Sequence, residues 1–208
     1  MKHLVKFLNQ NKGVIHVGAN GAQEASVYKR HGLDVIWIEP ITERFKVCVK
    51  KLKSNFPKQR VINYLVSDKD HQLHDFYIAD NHGASSSILE PVEHKITHPH
   101  ILFPSTVKMQ SLTLDSIIKA EGVDKNYYTN LVMDTQGSEL LILKGAINYL
   151  ENCGSIILEA ANFEAYKGCP KVIDFDYFLS KHGFKKTEES CFNSWEGGRR
   201  YYDILYTR

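Results

Sequence analysis

Two glycines and a carboxylate give the first chemical signal in this 208-residue sequence. One apolar run, Gly13-Val-Ile-His-Val17, leads into Gly18-Ala-Asn-Gly21, and a second, Asp34-Val-Ile-Trp-Ile38, leads into Glu39-Pro40. Glycine at the end of a buried strand lets the backbone turn tightly and brings N–H groups close to a ligand at a helix N-terminus. Glu39 stands 21 residues after Gly18, where a strand-end carboxylate accepts hydrogen bonds from the hydroxyls of a ribose. The dinucleotide fingerprint G-x-G-x-x-G is broken, because Asn20 and Gln23 hold the second and third glycine places. A nucleoside without a pyrophosphate satisfies both facts, and S-adenosylmethionine is the commonest such cofactor. An NAD(P)-dependent oxidoreductase fits the loop poorly. The structural alternative leaves Gly18 and Gly21 as a plain turn and Glu39 as a solvated strand end.

Asp134 closes the apolar run Leu131–Met133. A carboxylate there would orient or deprotonate an acceptor hydroxyl, or hold a metal that does so; its structural alternative is to cap the helix that begins near Ser138. Glu139, one turn further on, reads as a structural acid at the positive helix N-terminus. Glu159 and Asn162 follow the next strand, so Asp134, Glu159 and Asn162 form a candidate oxygen site for magnesium. Such groups also bind sugar hydroxyls directly, and magnesium is the weaker reading. His94, in Glu93-His94-Lys95, is the second choice of general base, set against the ordinary exposed loop histidine. His98-Pro-His100 has no partner pair at a metal-ligating spacing. Trp195, Arg199 and Arg200 in the C-terminal loop would stack on a sugar face and bind its hydroxyls, or form an exposed turn.

These residues need elements to hold them. Ala22 to His31 carries helix formers and ends at Gly32, giving a strand–helix–strand unit. Ile41, Phe45, Val49 and Leu52 make an i, i+4 stripe, and Val61–Val66 and Leu131–Met133 read as strands. Ser138–Leu150 is predicted helical, Ser155–Leu158 a strand, and Lys171–His182 a helix stopped at Gly183. Phe184–Glu188 and Tyr201–Tyr206, joined by the loop Ser190–Arg200, should pair as an antiparallel hairpin. His71 to Met109 has no clear period, holds six of the ten histidines, and is expected to be a strand followed by a long binding loop or lid.

Composition narrows the partners. Lys and Arg number 26 against 24 Asp and Glu, a net +2, too even a balance for capturing nucleic acid or an anionic membrane. No apolar run reaches the ~18–20 residues that span a bilayer. The four cysteines never form a CxxC pair, and the N-terminus does not resemble a secretory signal, so a reducing, cytoplasmic setting is expected. The length fits a single domain over residues 1–208.

The string Val132-Met-Asp-Thr-Gln-Gly-Ser-Glu-Leu-Leu-Ile-Leu-Lys-Gly-Ala146 resembles the signature of the FkbM-type methyltransferases. Ile15-His-Val-Gly-Ala-Asn-Gly21, Trp37-Ile-Glu39, Ser85-Ser-Ser-Ile-Leu89 and Tyr202-Asp-Ile-Leu-Tyr206 are similar to the family's other blocks, in order, from about residue 13 to the end. His16 departs from the pattern, where an acid is common. The resemblance implies a Rossmann-like class I methyltransferase fold. This is an α/β architecture with a mostly parallel seven-stranded sheet, a C-terminal antiparallel hairpin and helices on both faces. It also implies S-adenosylmethionine as methyl donor and O-methylation, often of a sugar or polyketide hydroxyl.

Cofactor contacts are then expected from His16, Gly18, Ala19, Asn20, Gly21, Glu24, Glu39, Ser67, Asp68 and Asp134. Catalysis is expected from Asp134, His94 and Glu159, and acceptor contacts from Ser86, Ser87, Asn162, Trp195 and Arg199. Family members often carry more residues before the first strand, so the chain is a candidate for one domain of a larger protein that handles a glycan. The rival from another class is a non-catalytic or partner-dependent cofactor-binding domain.

Overall fold

The computed structural model describes residues 1–208. After a 3₁₀ turn at Lys2–Phe7 come β1 (Gly13–Val17), α1 (Ala25–Arg30), β2 (Val35–Ile38), α2 (Thr42–Asn55) and β3 (Gln59–Ile62). Next are β4 (Leu65–Val66), β5 (Leu73–Ile78), α3 (His94–Thr97), β6 (Ser105–Leu112) and α4 (Leu114–Ala120). The chain ends with β7 (Tyr128–Met133), α5 (Glu139–Lys144), α6 (Ile147–Leu150), β8 (Ser155–Ala161), α7 (Val172–Lys181), β9 (Lys185–Ser194) and β10 (Arg200–Thr207).

Seven strands form one sheet in the order β3-β2-β1-β7-β8-β10-β9. The first five are parallel, and β10 runs antiparallel to both of its neighbours, β8 and β9. Every residue of β1 and β2 is buried, because helices cover both faces of a parallel sheet. The two-residue period divides the side chains. Ile15, Val17, Ile36, Ile38, Leu131 and Met133 pack with the helices α4 to α7, while Val14, Val35, Trp37 and Val132 pack with α1 and α2. Each such buried apolar side chain contributes about 1.5–3 kcal/mol, so the strand ends that carry Gly18, Glu39 and Asp134 are held by fully buried residues.

Several expectations need correction. Val61–Val66 is not one strand: β3 ends at Ile62, where the Asn63 amide donates to the carbonyls of Glu39 and Pro40 at 2.6 and 3.1 Å. Leu65–Val66 instead joins a separate three-stranded sheet, in the order β4-β6-β5. The aperiodic stretch His71–Met109 holds two antiparallel strands, β5 and most of β6, with only residues 79–104 and the short α3 as the connection. The helix expected over Ser138–Leu150 is broken at Gly145, which packs against the Ser67 carbonyl so closely that a side chain there would overlap it. The hairpin turn is shorter than expected, because β9 continues to Ser194 as an almost wholly exposed edge strand. On α2 the buried residues are Cys48 and Leu52, and Val49 is exposed.

Candidate active site

A cleft opens at the C-terminal ends of β1, β2 and β7. β1 lies between β2 and β7, so the strand order reverses there, the place where ligands bind in open α/β sheets.

The first wall is the turn after β1. Gly18 has φ +90°, and Asn20 and Ala22 also sit in the left-handed region, at φ +44° and +49°, a conformation that costs an L-residue roughly 1–2 kcal/mol. α2 holds the turn in place. Arg44 Nε donates to Asn20 Oδ1 at 2.9 Å, Cys48 Sγ to the Asn20 carbonyl at 3.0 Å, and Lys51 Nζ to the carbonyls of Gly21 and Ala22 at 2.9 and 2.6 Å. The inward face of α2 is therefore one of hydrogen bonds to loop carbonyls, which explains why the apolar stripe misplaced it.

The second wall is Glu39, 3% exposed. Its Oε2 accepts from Asn20 N–H at 2.7 Å and its Oε1 from Ile41 N–H at 2.8 Å. Burial pushes its pKa up to about 7, against the lowering pull of those two N–H groups and of Arg44. Each of its oxygens accepts one N–H, which leaves lone pairs for further donors.

The third wall runs from Asp134 to Ser138. Asp134 Oδ1 accepts from Gln136 Nε2 at 2.8 Å. Burial raises the Asp134 carboxyl to about 6, opposed by the Gln136 amide and assisted by Glu24. Glu139 is fully buried and closes this turn: its Oε1 accepts from the Thr135 N–H at 2.7 Å, the Thr135 hydroxyl at 3.0 Å and the Gly137 N–H at 3.3 Å. Its structural reading is supported by this geometry. The last wall comes from the inserted small sheet and the segment between β5 and β6, through Phe76, Gly83, Ala84, Ser86 and Ile88.

Among the residues expected to form the site, Gly18, Asn20, Glu24, Glu39, Ser86 and Asp134 meet on this cleft. Ala19 and Gly21 belong to the same turn but lie behind its lining; the Ala19 N–H donates to the Ile38 carbonyl at 3.1 Å. His16 does not line the cleft. It shares the α1/α2 face of β1 with Val14 and stacks on Trp37 at 4.3 Å. Its Nδ1 lies 2.9 Å from the Tyr28 hydroxyl, and burial lowers its pKa to about 3. Ser67 and Asp68 are also off the lining. Ser67 is buried under Gly145, and the wall beside it is built by Tyr64, Leu65 and Val66.

Glu159 lines a separate, smaller chamber with Glu139, Tyr166, Cys169 and Tyr201. Burial first, then Asp134 and Glu139, raise its pKa. Ser87 buttresses the Asp134 turn, its hydroxyl donating to the Gln136 carbonyl at 2.8 Å. Asn162 is exposed and bonds the hairpin backbone, at 2.8 Å from the Arg200 N–H and 3.0 Å to the Gly198 carbonyl. It therefore does not join Asp134 and Glu159, and no group of three His, Cys, Asp or Glu side chains is arranged to hold a metal ion. The acid–acid–amide magnesium site is not formed.

His94 is also off the cleft. It is 3% exposed and stacks between His98 and Tyr166 at 4.6 and 5.1 Å. Its Nδ1 is 3.5 Å from the Tyr201 hydroxyl and its Nε2 has no partner. Burial lowers it to about 4. Trp195 packs edge-on to His98 and Tyr201, and Arg199 pairs with Glu93 at 2.6 Å. Sequence reasoning missed Arg44, Lys51, Gln136 and Tyr166. For the first two, a signal existed: Arg44, Cys48, Lys51 and Leu52 repeat at helical spacing.

Sheet order, a glycine turn after β1 and carboxylates at the ends of β2 and β7 define a class I methyltransferase fold. The methyltransferase FkbM domain matches residues 16–186, and the chain belongs to that family. It is similar over 99% of its length to an uncharacterized protein from Listeria monocytogenes serotype 4b, with TM-score 0.56 and 13% identity, and spans 65% of that chain. It is similar over its whole length, and 78% of the other chain, to the O-methyltransferase from Bacillus cereus in complex with SAH, with TM-score 0.55 and 12% identity. Magnesium protoporphyrin IX methyltransferase from Synechocystis PCC 6803 with bound SAM matches 99% of this chain and 74% of its own, with TM-score 0.53 and 11% identity. At these identities the likeness is one of fold. No curated relative matches the chain. Family and fold together support S-adenosylmethionine-dependent methyl transfer. No helix is long and apolar enough to cross a membrane.

Proposed function

We propose that this chain transfers the methyl group of S-adenosylmethionine to a hydroxyl oxygen of a small polyhydroxylated acceptor, a sugar or glycan. The observation that carries this reading is the Asp134 carboxyl, which lines the cleft at the end of β7 and is held at about 6 by burial. A base that titrates just below neutral pH is matched to drawing a proton from a hydroxyl.

The residues present fit the methyl donor. Glu39 is a buried carboxylate with lone pairs to spare for ribose hydroxyls, Ile41, Leu65 and Phe76 give apolar surface for a flat base, and Glu24 is an acid suited to an amino group. When bound, the donor supplies a methyl group already activated by its sulfonium. The protein's own task is to align the acceptor oxygen and accept its proton at Asp134. Glu159, with its raised pKa, is the neighbouring acid. Ser86 lines the cleft and would contact the acceptor, while Trp195 and Arg199 lie outside that lining. The near-neutral charge, +2, argues for a small acceptor over nucleic acid. Further domains of a longer protein would present the glycan, in the cytoplasm.

Purified chain is incubated with isotope-labelled S-adenosylmethionine and a panel of mono- and oligosaccharides, phenols, amines and RNA, and the product methyl is located by NMR. Label on a sugar oxygen is the expected result. Label confined to nitrogen or RNA overturns the acceptor class. Cofactor binding with no transfer to any acceptor favours the partner-dependent cofactor-binding domain.

A further inference from the structure

Gln136 is the one side chain that borders both the cofactor cleft and the smaller chamber. Its backbone is in the left-handed region at φ +56°, an arrangement that persists in a non-glycine residue only where surrounding contacts enforce it. Those contacts are specific. The Gln136 carbonyl accepts from the Ser87 hydroxyl at 2.8 Å, and Ser87 Oγ accepts the Leu89 N–H at 3.0 Å. The side-chain amide is fixed at both ends: Oε1 lies 3.1 Å from the Tyr166 hydroxyl and Nε2 is 2.8 Å from Asp134 Oδ1. A hydroxyl at one end and a carboxylate at the other leave a single sensible orientation, with the NH₂ toward Asp134.

We infer that Gln136 is a positioning residue: anchored by Tyr166, it aims the Asp134 carboxyl into the cofactor cleft. This rests on the reading of Asp134 as the base. The groups that face Asp134 are Glu24 before α1, Glu139 on α5, Glu159 on β8 and the Met1 ammonium, with Tyr166 and Tyr201 beyond them. Of these, Glu24 disfavours a charge on Asp134, while Asp134 in turn raises Glu139 and Glu159. The Gln136 amide is the neutral side chain that donates to it, and favours the ionised form. The single Tyr166 hydroxyl proton is shared between two oxygens, the Ser85 carbonyl at 2.9 Å and Gln136 Oε1 at 3.1 Å. The hydroxyl thus links the segment over the cleft to the turn beneath it.

The test uses Gln136→Leu, which keeps bulk without an amide, Gln136→Gly, which also suits the positive φ, and Tyr166→Phe. In both Gln136 variants the acidic limb of the kcat–pH profile should rise by about one pH unit, while the dissociation constant for S-adenosylmethionine stays within about twofold. Tyr166→Phe should move it in the same direction by less. A carbon-13 carboxyl titration of Asp134 in the ligand-free protein reads the same shift without turnover, so the inference is decided even if no acceptor is ever methylated. An Asp134 titration unmoved in folded Gln136→Leu and Gln136→Gly overturns it. If Gln136→Leu does not fold, Gln136→Gly and Tyr166→Phe decide the question by the same titration.

Discussion

Gly18 and Asp134 touch through their main chains: a Cβ built on Gly18 would overlap the Asp134 carbonyl oxygen. The turns after β1 and β7 therefore meet with no side chain between them, and the cleft floor is a backbone junction. Gly18→Ala should cost about 3 kcal/mol or more, since the new methyl adds overpacking to an unfavourable positive φ. A denaturant midpoint equal to that of the wild type would show that the two turns separate freely.

Glu39 should trade stability for binding. Its folded pKa is raised from 4.5 to about 7, so the folded state binds the extra proton, and the stability this confers is present below about pH 4.5 and lost as pH rises through 7. Between those limits the stability difference should move by about 3 kcal/mol in favour of Glu39→Gln, which cannot ionise. The same variant should bind S-adenosylmethionine more weakly by about 1–3 kcal/mol. Thermal melts across the pH range and calorimetric titration check the two halves separately.

Asp134→Asn preserves the shape of the turn while removing the base. Cofactor affinity should stay within about threefold and turnover should fall by roughly 10²–10⁴-fold. Full turnover in the folded variant would remove Asp134 from the chemistry.

His94→Phe separates the second choice of base from the first. The ring is neutral, off the cleft, and carries a buried nitrogen without a partner, so phenylalanine should fill the stack between His98 and Tyr166 at a stability cost within about 1 kcal/mol. Turnover is expected within about threefold of wild type. A loss as large as that in Asp134→Asn would bring His94 back into the proton path.

The places where sequence alone succeeded and failed have a common physical basis. Gly18, Glu39 and Asp134 were legible because each ends a fully buried run, and burial on both faces leaves a continuous apolar signal. Most of β6 and the far half of β9, Ser190–Ser194, were not, because strands with exposed polar side chains lose that signal. His16 shows a different limit. Its position in the motif was clear, yet which sheet face it joins was decided by the one-residue alternation with Val17 and by the aromatic niche of Tyr28 and Trp37. Arg44 and Lys51 were hidden because hydrogen bonds to a strained loop, rather than apolar contact, define the buried face of α2.

The small sheet of β4, β6 and β5 reaches the cleft only as a wall, while the glycine turn, Glu39 and Asp134 all hang from the large sheet. The two halves of the cleft can therefore diverge on separate clocks. Residues that must fit an unchanging methyl donor are locked to the buried strands of the large sheet. Those opposite, from Gly83 to Ile88, ride on the segment that follows β5, whose exchange would retune what is admitted beside the donor.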